Sequence, residues 1–173
     1  MSEKEGGGAV PGCAYITMLG RSVWALVNSY YAVLDGRKCS PTLIYVFAEE
    51  RYKEELEKAL KAIEILSSEY GFKPDIKSDF IKEGDFLEAG RKISSLAKRL
   101  KAKGFEIALD ITPGRKALVA GSLISLSKTS VDHIFYLKIS TLEGASKPYF
   151  MVPMQTQHLQ DFIEDAKRGV VRQ

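Results

Sequence analysis

Amide side chains are almost missing from this chain. Asparagine occurs once, at Asn28, and glutamine four times. Such scarcity is expected of a heat-exposed protein, and it makes the crowding of Gln155, Gln157 and Gln160 conspicuous. Cysteine is rarer still. Cys13 and Cys39 stand in no paired motif, which argues against a disulfide scaffold and for a reducing compartment. No apolar run approaches the roughly 18 residues of a membrane span. A basic-then-apolar leader is also missing, so a soluble, cytoplasmic protein without a membrane partner is expected. The two histidines, His133 and His158, lack Cys or His neighbours at ligand spacing, so neither metal nor cofactor is expected. Charge is not in excess either. Twenty-five basic residues against twenty-two acidic ones leave +3, which excludes bulk nucleic-acid binding and leaves only local placement.

What is present suffices for a globular core. The chain has 173 residues, 45% of them hydrophobic, and a chain of this size buries roughly 70% of its unfolded surface. Residues 1–12, with Gly6-Gly7-Gly8 and Pro11, read as a flexible tail. Residues 13–173 read as a single domain with no linker or repeat.

Within that domain, hydrophobic periodicity alternates. Ala14 to Leu19 is an apolar strand, followed by a helix from Val23 to about Leu34 capped by Ser22. Thr42 to Ala48 is a second strand, and Tyr52, Leu56, Leu60, Ile63 and Leu66 recur at helical spacing. Phe72 to Ile81 reads as an outer strand, and Leu87, Ile93, Leu96 and Leu100 mark a helix. Glu106 to Ile111 is a strand, Lys116 to about Lys128 a helix, and Asp132 to Ile139 a strand. Tyr149 to Met154 is expected to be the last strand, with helix from Thr156 onward. Helical crossovers require parallel strands covered on both faces. The final connection is too short for a crossover, so the last strand should run antiparallel at an edge. The expected fold is α/β, a Rossmann-like three-layer sandwich with a mainly parallel six-stranded sheet.

In such sheets ligands bind beyond the carboxyl ends of the strands, where strand order reverses. Two loops should face that crevice: Leu19-Gly20-Arg21-Ser22-Val23, and Asp110-Ile111-Thr112-Pro113-Gly114-Arg115-Lys116. Each carries a glycine, opens a helix and adds cations, as a phosphate site requires. Gly20 as a tight turn and Ser22 as a plain helix cap are the structural alternatives. Arg115-Lys116 at a helix start opposes the helix dipole, so an anion there would compensate. Familiar fingerprints are missing: there is no G-x-G-x-x-G, no Walker A loop and no G-x-S-x-G. The run Arg91, Lys92, Lys98, Arg99, Lys101, Lys103 lies on a helix without acidic partners and reads as a solvated face, with a nucleic-acid patch as the alternative.

Leu109-Asp-Ile-Thr-Pro-Gly-Arg-Lys-Ala117 resembles the Asp-x-Thr-x-Gly-x-Lys motif of the CRISPR-associated Rossmann fold (CARF) family. Leu19-Gly-Arg-Ser-Val-Trp-Ala-Leu-Val-Asn-Ser-Tyr-Tyr31 resembles that family's other signature, with Val23 in place of a frequent proline. The resemblance implies binding of cyclic oligoadenylates, the messengers of type III CRISPR complexes, across the twofold axis of a homodimer. With no room for an effector after the last strand, it implies a stand-alone ring nuclease that cleaves the messenger, cyclic tetra-adenylate by expectation, and switches off antiviral signalling. A non-catalytic sensor acting through a partner protein is the alternative. The implied reaction is attack of a ribose 2′-OH on its own 3′ phosphorus. Lys116 would stabilise the developing charge, Arg115 hold the phosphate, and Ser22 with the Gly20 N–H groups position it. Arg21 would clamp a neighbouring phosphate, and Gly114 belongs to the second loop, which Asp110 would order by hydrogen bonds unless it serves as general base, with Thr112 open to either job. Gln155, Gln157 and Gln160, with His158 nearby, would cover the adenines, or form a polar loop and helix cap with Thr156 as the cap. Glu49 and Glu50 would meet a ribose hydroxyl or start the next helix. No stable complex with long nucleic acid is expected.

Overall fold

The computed structural model describes residues 12–126 and 131–170. Six strands form one sheet: β1 (Cys13–Leu19), β2 (Pro41–Glu49), β3 (Asp75–Ile81), β4 (Glu106–Asp110), β5 (His133–Ile139) and β6 (Gln157–Asp161). Helices α1 (Val23–Asp35), α2 (Lys53–Glu69), α3 (Phe86–Ala102) and α4 (Lys116–Leu126) connect the parallel strands, and α5 (Phe162–Val170) follows β6. The sheet order is β3-β2-β1-β4-β5-β6. All pairings are parallel except β5 with β6. The order therefore reverses between β1 and β4, as expected of a Rossmann-like sheet.

Alternation within β1 builds the layers. Cys13, Tyr15 and Leu19 join α1 and α2 side chains such as Leu26, Tyr30 and Ile63 in one core. Ala14, Ile16 and Met18 point the other way, to Ile93 and Ala97 of α3 and Leu118 of α4. Period-two side chains on a doubly covered strand leave no solvent face, which is why β1 reads as a continuous apolar run. The helices α3 and α4 cross closely through glycines. A Cβ on Gly90 would lie 2.5 Å from the Gly121 carbonyl oxygen, and one on Gly121 would lie 2.1 Å from that of Phe86.

Three expectations are corrected. The argument against a disulfide fails: Cys13 and Cys39 are bonded, with Cα atoms 6.1 Å apart. Cys13 opens β1 and Cys39 shortly precedes β2, and these parallel neighbours start side by side, with Cys13 opposite Pro41. A crossover helix brings the two cysteines together, so local spacing carried no signal. Intracellular proteins of hyperthermophiles are disulfide-rich, so the bond sits comfortably with the scarce amides and assigns no compartment. The last strand lies further on than expected. Tyr149–Met151 and Met154–Thr156 are 3-10 turns, and the strand is Gln157–Asp161. Pro148 and Pro153 precede those turns, and a proline cannot donate to a ladder. The basic helix does have acidic partners. Lys92 pairs with Asp79 at 3.0 Å and Glu88 at 3.4 Å, and Lys101 with Asp132 at 2.6 Å.

Gly12, assigned above to the tail, accepts a hydrogen bond from the Glu106 N–H at 3.3 Å. The rest of the expected tail, and Ser127 and Lys128 of the expected fourth helix, lie outside the described residues. Among the described residues no helix is long and apolar enough to cross a membrane.

Candidate functional site

The loops after β1 and β4 meet at the carboxyl end of these adjacent strands. A Cβ on Gly20 would lie 2.4 Å from the Pro113 carbonyl oxygen and 3.5 Å from Arg115 Cγ. No side chain fits there, so Gly20 is required by the approach of the second loop. Ser22 is the N-cap of α1, its Oγ accepting from the Ala25 N–H at 3.2 Å. That bond uses a lone pair and leaves the hydroxyl proton free to donate. Arg21 is exposed beside it, and Lys116, first residue of α4, is exposed at the end of the second loop. Among the described residues no carboxylate pairs with either cation. Gly114 is packed by Val119 and Met18, whose side chains would crowd a Cβ at 2.7 and 3.4 Å.

Asp110 anchors the second loop from beneath. Its carboxylate is fully buried and accepts from Tyr15 OH at 2.7 Å, Ser29 Oγ at 2.6 Å, Thr17 Oγ1 at 3.2 Å and the Thr112 N–H at 2.9 Å. Burial raises its pKa, and these donors pull it back without overcoming the rise. Burial and the Asp110 charge likewise push the Tyr15 phenol well above its ordinary value. Thr112 continues the ladder beyond the end of β4. The Ile111 N–H donates to the Phe135 carbonyl at 3.0 Å, and the Thr112 hydroxyl then accepts from the Leu137 N–H at 2.9 Å. Both residues thus shape the loop that carries Gly114, Arg115 and Lys116.

Arg115 has a protein partner that sequence reasoning missed. Its Nη1 lies 3.0 and 2.8 Å from the two carboxylate oxygens of Glu49. Glu49 ends β2 and is fully buried. It also accepts from the Gly84 N–H at 2.8 Å and pairs with Arg51 at 3.2 Å. Burial alone would raise the Glu49 pKa, but the Gly84 N–H and the two arginines outweigh it and hold it below the usual carboxylate range. Glu49 therefore ties together the loops that follow β2, β3 and β4. The 3-10 turn before α2 starts at Glu50. Only Nη1 of Arg115 is engaged with Glu49, so Nη2 and Nε remain as donors.

Gln157 sits at the same end of the sheet, two strands away, whereas Gln160 lies opposite Tyr136 in the middle of β5. Gln157 starts β6 opposite Ile139, the last residue of β5. It is buried, and its Nε2 donates to the carbonyls of Tyr149 at 3.1 Å and Val152 at 2.9 Å. It braces the β5–β6 connection with the group that would otherwise read an adenine. Its Oε1 has no hydrogen-bond partner among the described residues. Gln155 and His158 are exposed. Asn28 holds the same connection against α1, donating to the Lys147 carbonyl at 2.7 Å, and the rings of Tyr31 and Tyr149 meet at 4.7 Å.

Among the described residues no group of three or more His, Cys, Asp or Glu side chains is placed to hold a metal ion. His133 lies between Asp161, 2.6 Å from Nδ1, and Glu106, 2.9 Å from Nε2. Burial opposes its charge, but the two carboxylates prevail and raise its pKa.

No family model matches the sequence, and no curated protein matches it. Among solved structures, the fold is similar to a type III CRISPR defence DNA nuclease activated by cyclic oligoadenylate. The TM-score is 0.57 at 16% identity, over 80% of this chain and 20% of that one. The chain thus spans about a fifth of the nuclease's length, and at this identity the likeness shows the fold alone. A glycinamide ribonucleotide transformylase from Symbiobacterium toebii aligns at a TM-score of 0.36 and 17% identity, over 76% of this chain and 53% of that one, too distant to bear on the argument.

Proposed function

We propose that the chain binds a cyclic oligoadenylate in the crevice between the β1 and β4 loops and cleaves it to linear products. The observation that supports this reading is the close approach of Gly20 to Pro113 and Arg115, which brings the loop that carries Ser22 against the loop that carries Lys116. Two helix N-termini and several cations around one cleft suit a ligand with a phosphate on every nucleotide. The fold's likeness to a nuclease activated by cyclic oligoadenylate and the two CARF-like motifs support the same ligand.

The chemistry asks little of the protein. A ribose 2′-OH attacks the adjacent 3′ phosphorus as the bond from phosphorus to the next 5′ oxygen breaks. A 2′,3′-cyclic phosphate and a free 5′-OH result; the 2′ proton leaves to solvent and the 5′ oxygen gains one. Holding the 2′-OH in line supplies much of the rate. Lys116 is assigned to the charge on the phosphorane, with the free face of Arg115 holding the phosphate. Ser22 Oγ–H and the backbone near Gly20 position it, and Arg21 meets the neighbouring phosphate. Two copies of the chain around a ring of twofold symmetry would present each loop twice.

Incubating the purified chain with labelled cyclic tetra-adenylate, with and without chelator, tests this. A linear product with a cyclic phosphate end that forms despite chelator is expected. Lys116→Ala should abolish cleavage while weakening binding less; cleavage by that variant at the parental rate overturns the assignment. A second reading, a sensor that binds without cutting, is favoured by one observation. Glu49 already balances Arg115, which leaves less positive charge for a transition state. Tight binding without product would select it.

A further inference from the structure

We propose that the cleft between α3 and the outer strands β2 and β3 is a second binding site, which takes a short stretch of single-stranded nucleic acid. None of its lining residues belongs to either crevice loop, so the inference does not rest on the function proposed above.

The cleft encloses about 320 Å³ and is lined by Tyr45, Arg91, Lys92, Ser95 and Arg99 among others. Its aromatic wall is preformed. The Tyr45 ring stacks on Phe47, with centroids 5.6 Å apart and planes 24° from parallel. Phe47 is buried and Tyr45 half-buried, so the reachable ring is that of Tyr45, backed by a rigid neighbour. Such a ring can stack a base of any identity.

The opposite wall is cationic. Arg91, Ser95 and Arg99 recur at helical spacing on the exposed side of α3. Asp79 is a carboxylate of the lining, and it is already matched by Lys92 at 3.0 Å. Lys92 also donates to the Phe80 carbonyl at 2.6 Å, so it closes the gap between α3 and β3 and is spent as a ligand group. Arg91 and Arg99 have no acidic partner among the described residues. Exposed Lys98 and Lys103 extend the same cationic side. From Arg91 to Lys103 the row spans about 18 Å at 1.5 Å per residue. A chain of net charge +3 thus concentrates cations on one helix, next to one aromatic cleft.

A solvated basic face needs no aromatic wall, and an apolar pocket needs no arginines. The combination matches the stacking platform and electrostatic groove of sequence-tolerant single-strand binders. A single strand can turn a base inward onto Tyr45, which a duplex, whose bases are already stacked, cannot.

The test uses the full chain and fluorescence anisotropy with a labelled twelve-nucleotide oligo-dT. Binding that weakens as salt rises is expected. Arg91→Ala with Arg99→Ala should lower affinity at least tenfold and flatten the salt slope by about 0.7 per lost phosphate contact. Tyr45→Leu, which keeps apolar bulk against Phe47, should lower affinity about tenfold, whereas Tyr45→Phe should leave it near parental. Failure of the parental chain to bind, unchanged binding by the arginine pair and Tyr45→Leu, or a preference for a duplex of the same length would overturn the proposal. Unlabelled cyclic tetra-adenylate should not displace the strand; full displacement would mean one site and would also overturn it. A chain that binds the strand but never the cyclic ligand would sink the crevice reading alone.

Discussion

Opening the Cys13–Cys39 bond should cost this fold several kilocalories. The two residues are 26 apart in sequence, and the loop they close contains β1 and α1. Loop-closure entropy for that length amounts to about 3.5 kcal/mol at room temperature. For a chain of this size each kcal/mol corresponds to roughly 2–4 °C in melting temperature, so a fall of about 7–14 °C is expected. Both cysteines are buried, at 3% and 4% exposure, so reductant must act through local opening. The cleaner comparison is the Cys13→Ala/Cys39→Ala variant, which removes the cross-link without burying a hydroxyl. Its melt should match that of the parent chain refolded under reductant, and it should not respond to reductant itself. If the oxidised and reduced parents melt within about 2 °C of each other, or if the unreduced, unfolded chain titrates with two free thiols, the reasoning fails.

Gly20→Ala should destabilise the fold by about 1–3 kcal/mol, as overpacking does, and weaken capture of the cyclic ligand. Parental melting and affinity would mean that the two loops separate freely. The depressed pKa of Glu49 adds stability that is present above its unfolded value near 4.5 and lost as pH falls through the lower folded value. Glu49→Gln should therefore flatten the acid limb of a stability–pH profile, and an unchanged limb would refute the role given to the ion pair. His133 has the opposite sign. Its raised pKa adds stability below its unfolded value near 6.5 that is lost as pH rises through the folded value. His133→Gln should remove that decline, measured by denaturant melts from pH 5 to 9; a decline that persists would assign it to another group.

Much of this architecture is legible in local pattern. Apolar runs ending at Gly20 and Asp110, each followed by a helix, place both loops on one end of a parallel sheet by topology alone. The close fit of Gly20 beneath Pro113 adds the distance. What stayed hidden depends on neighbours distant in the chain. Glu49 looks like a helix-starting acid because Glu50 follows it, and its partners besides nearby Arg51 are Gly84 and Arg115, which arrive from two other segments. The disulfide depends on which strands lie side by side. For β6 a local signal was available. Asp161 accepts from the N–H groups of Ile163 and Glu164 at 3.1 and 3.4 Å, and an acidic cap with Glu three residues on marks a helix start. That places the strand before it, in Gln157-His-Leu-Gln-Asp161, whose polar composition masks the alternation.

Strand β2 is thus fastened at its two ends by unlike chemistry. At the base lies a covalent rivet between Cys13 and Cys39; at the rim, the Glu49 carboxylate clasps arginines from beyond two strands. An electron donor undoes the first and a proton the second. The foundation of the sheet therefore answers to redox conditions, while the loops gathered on Glu49 answer to acidity.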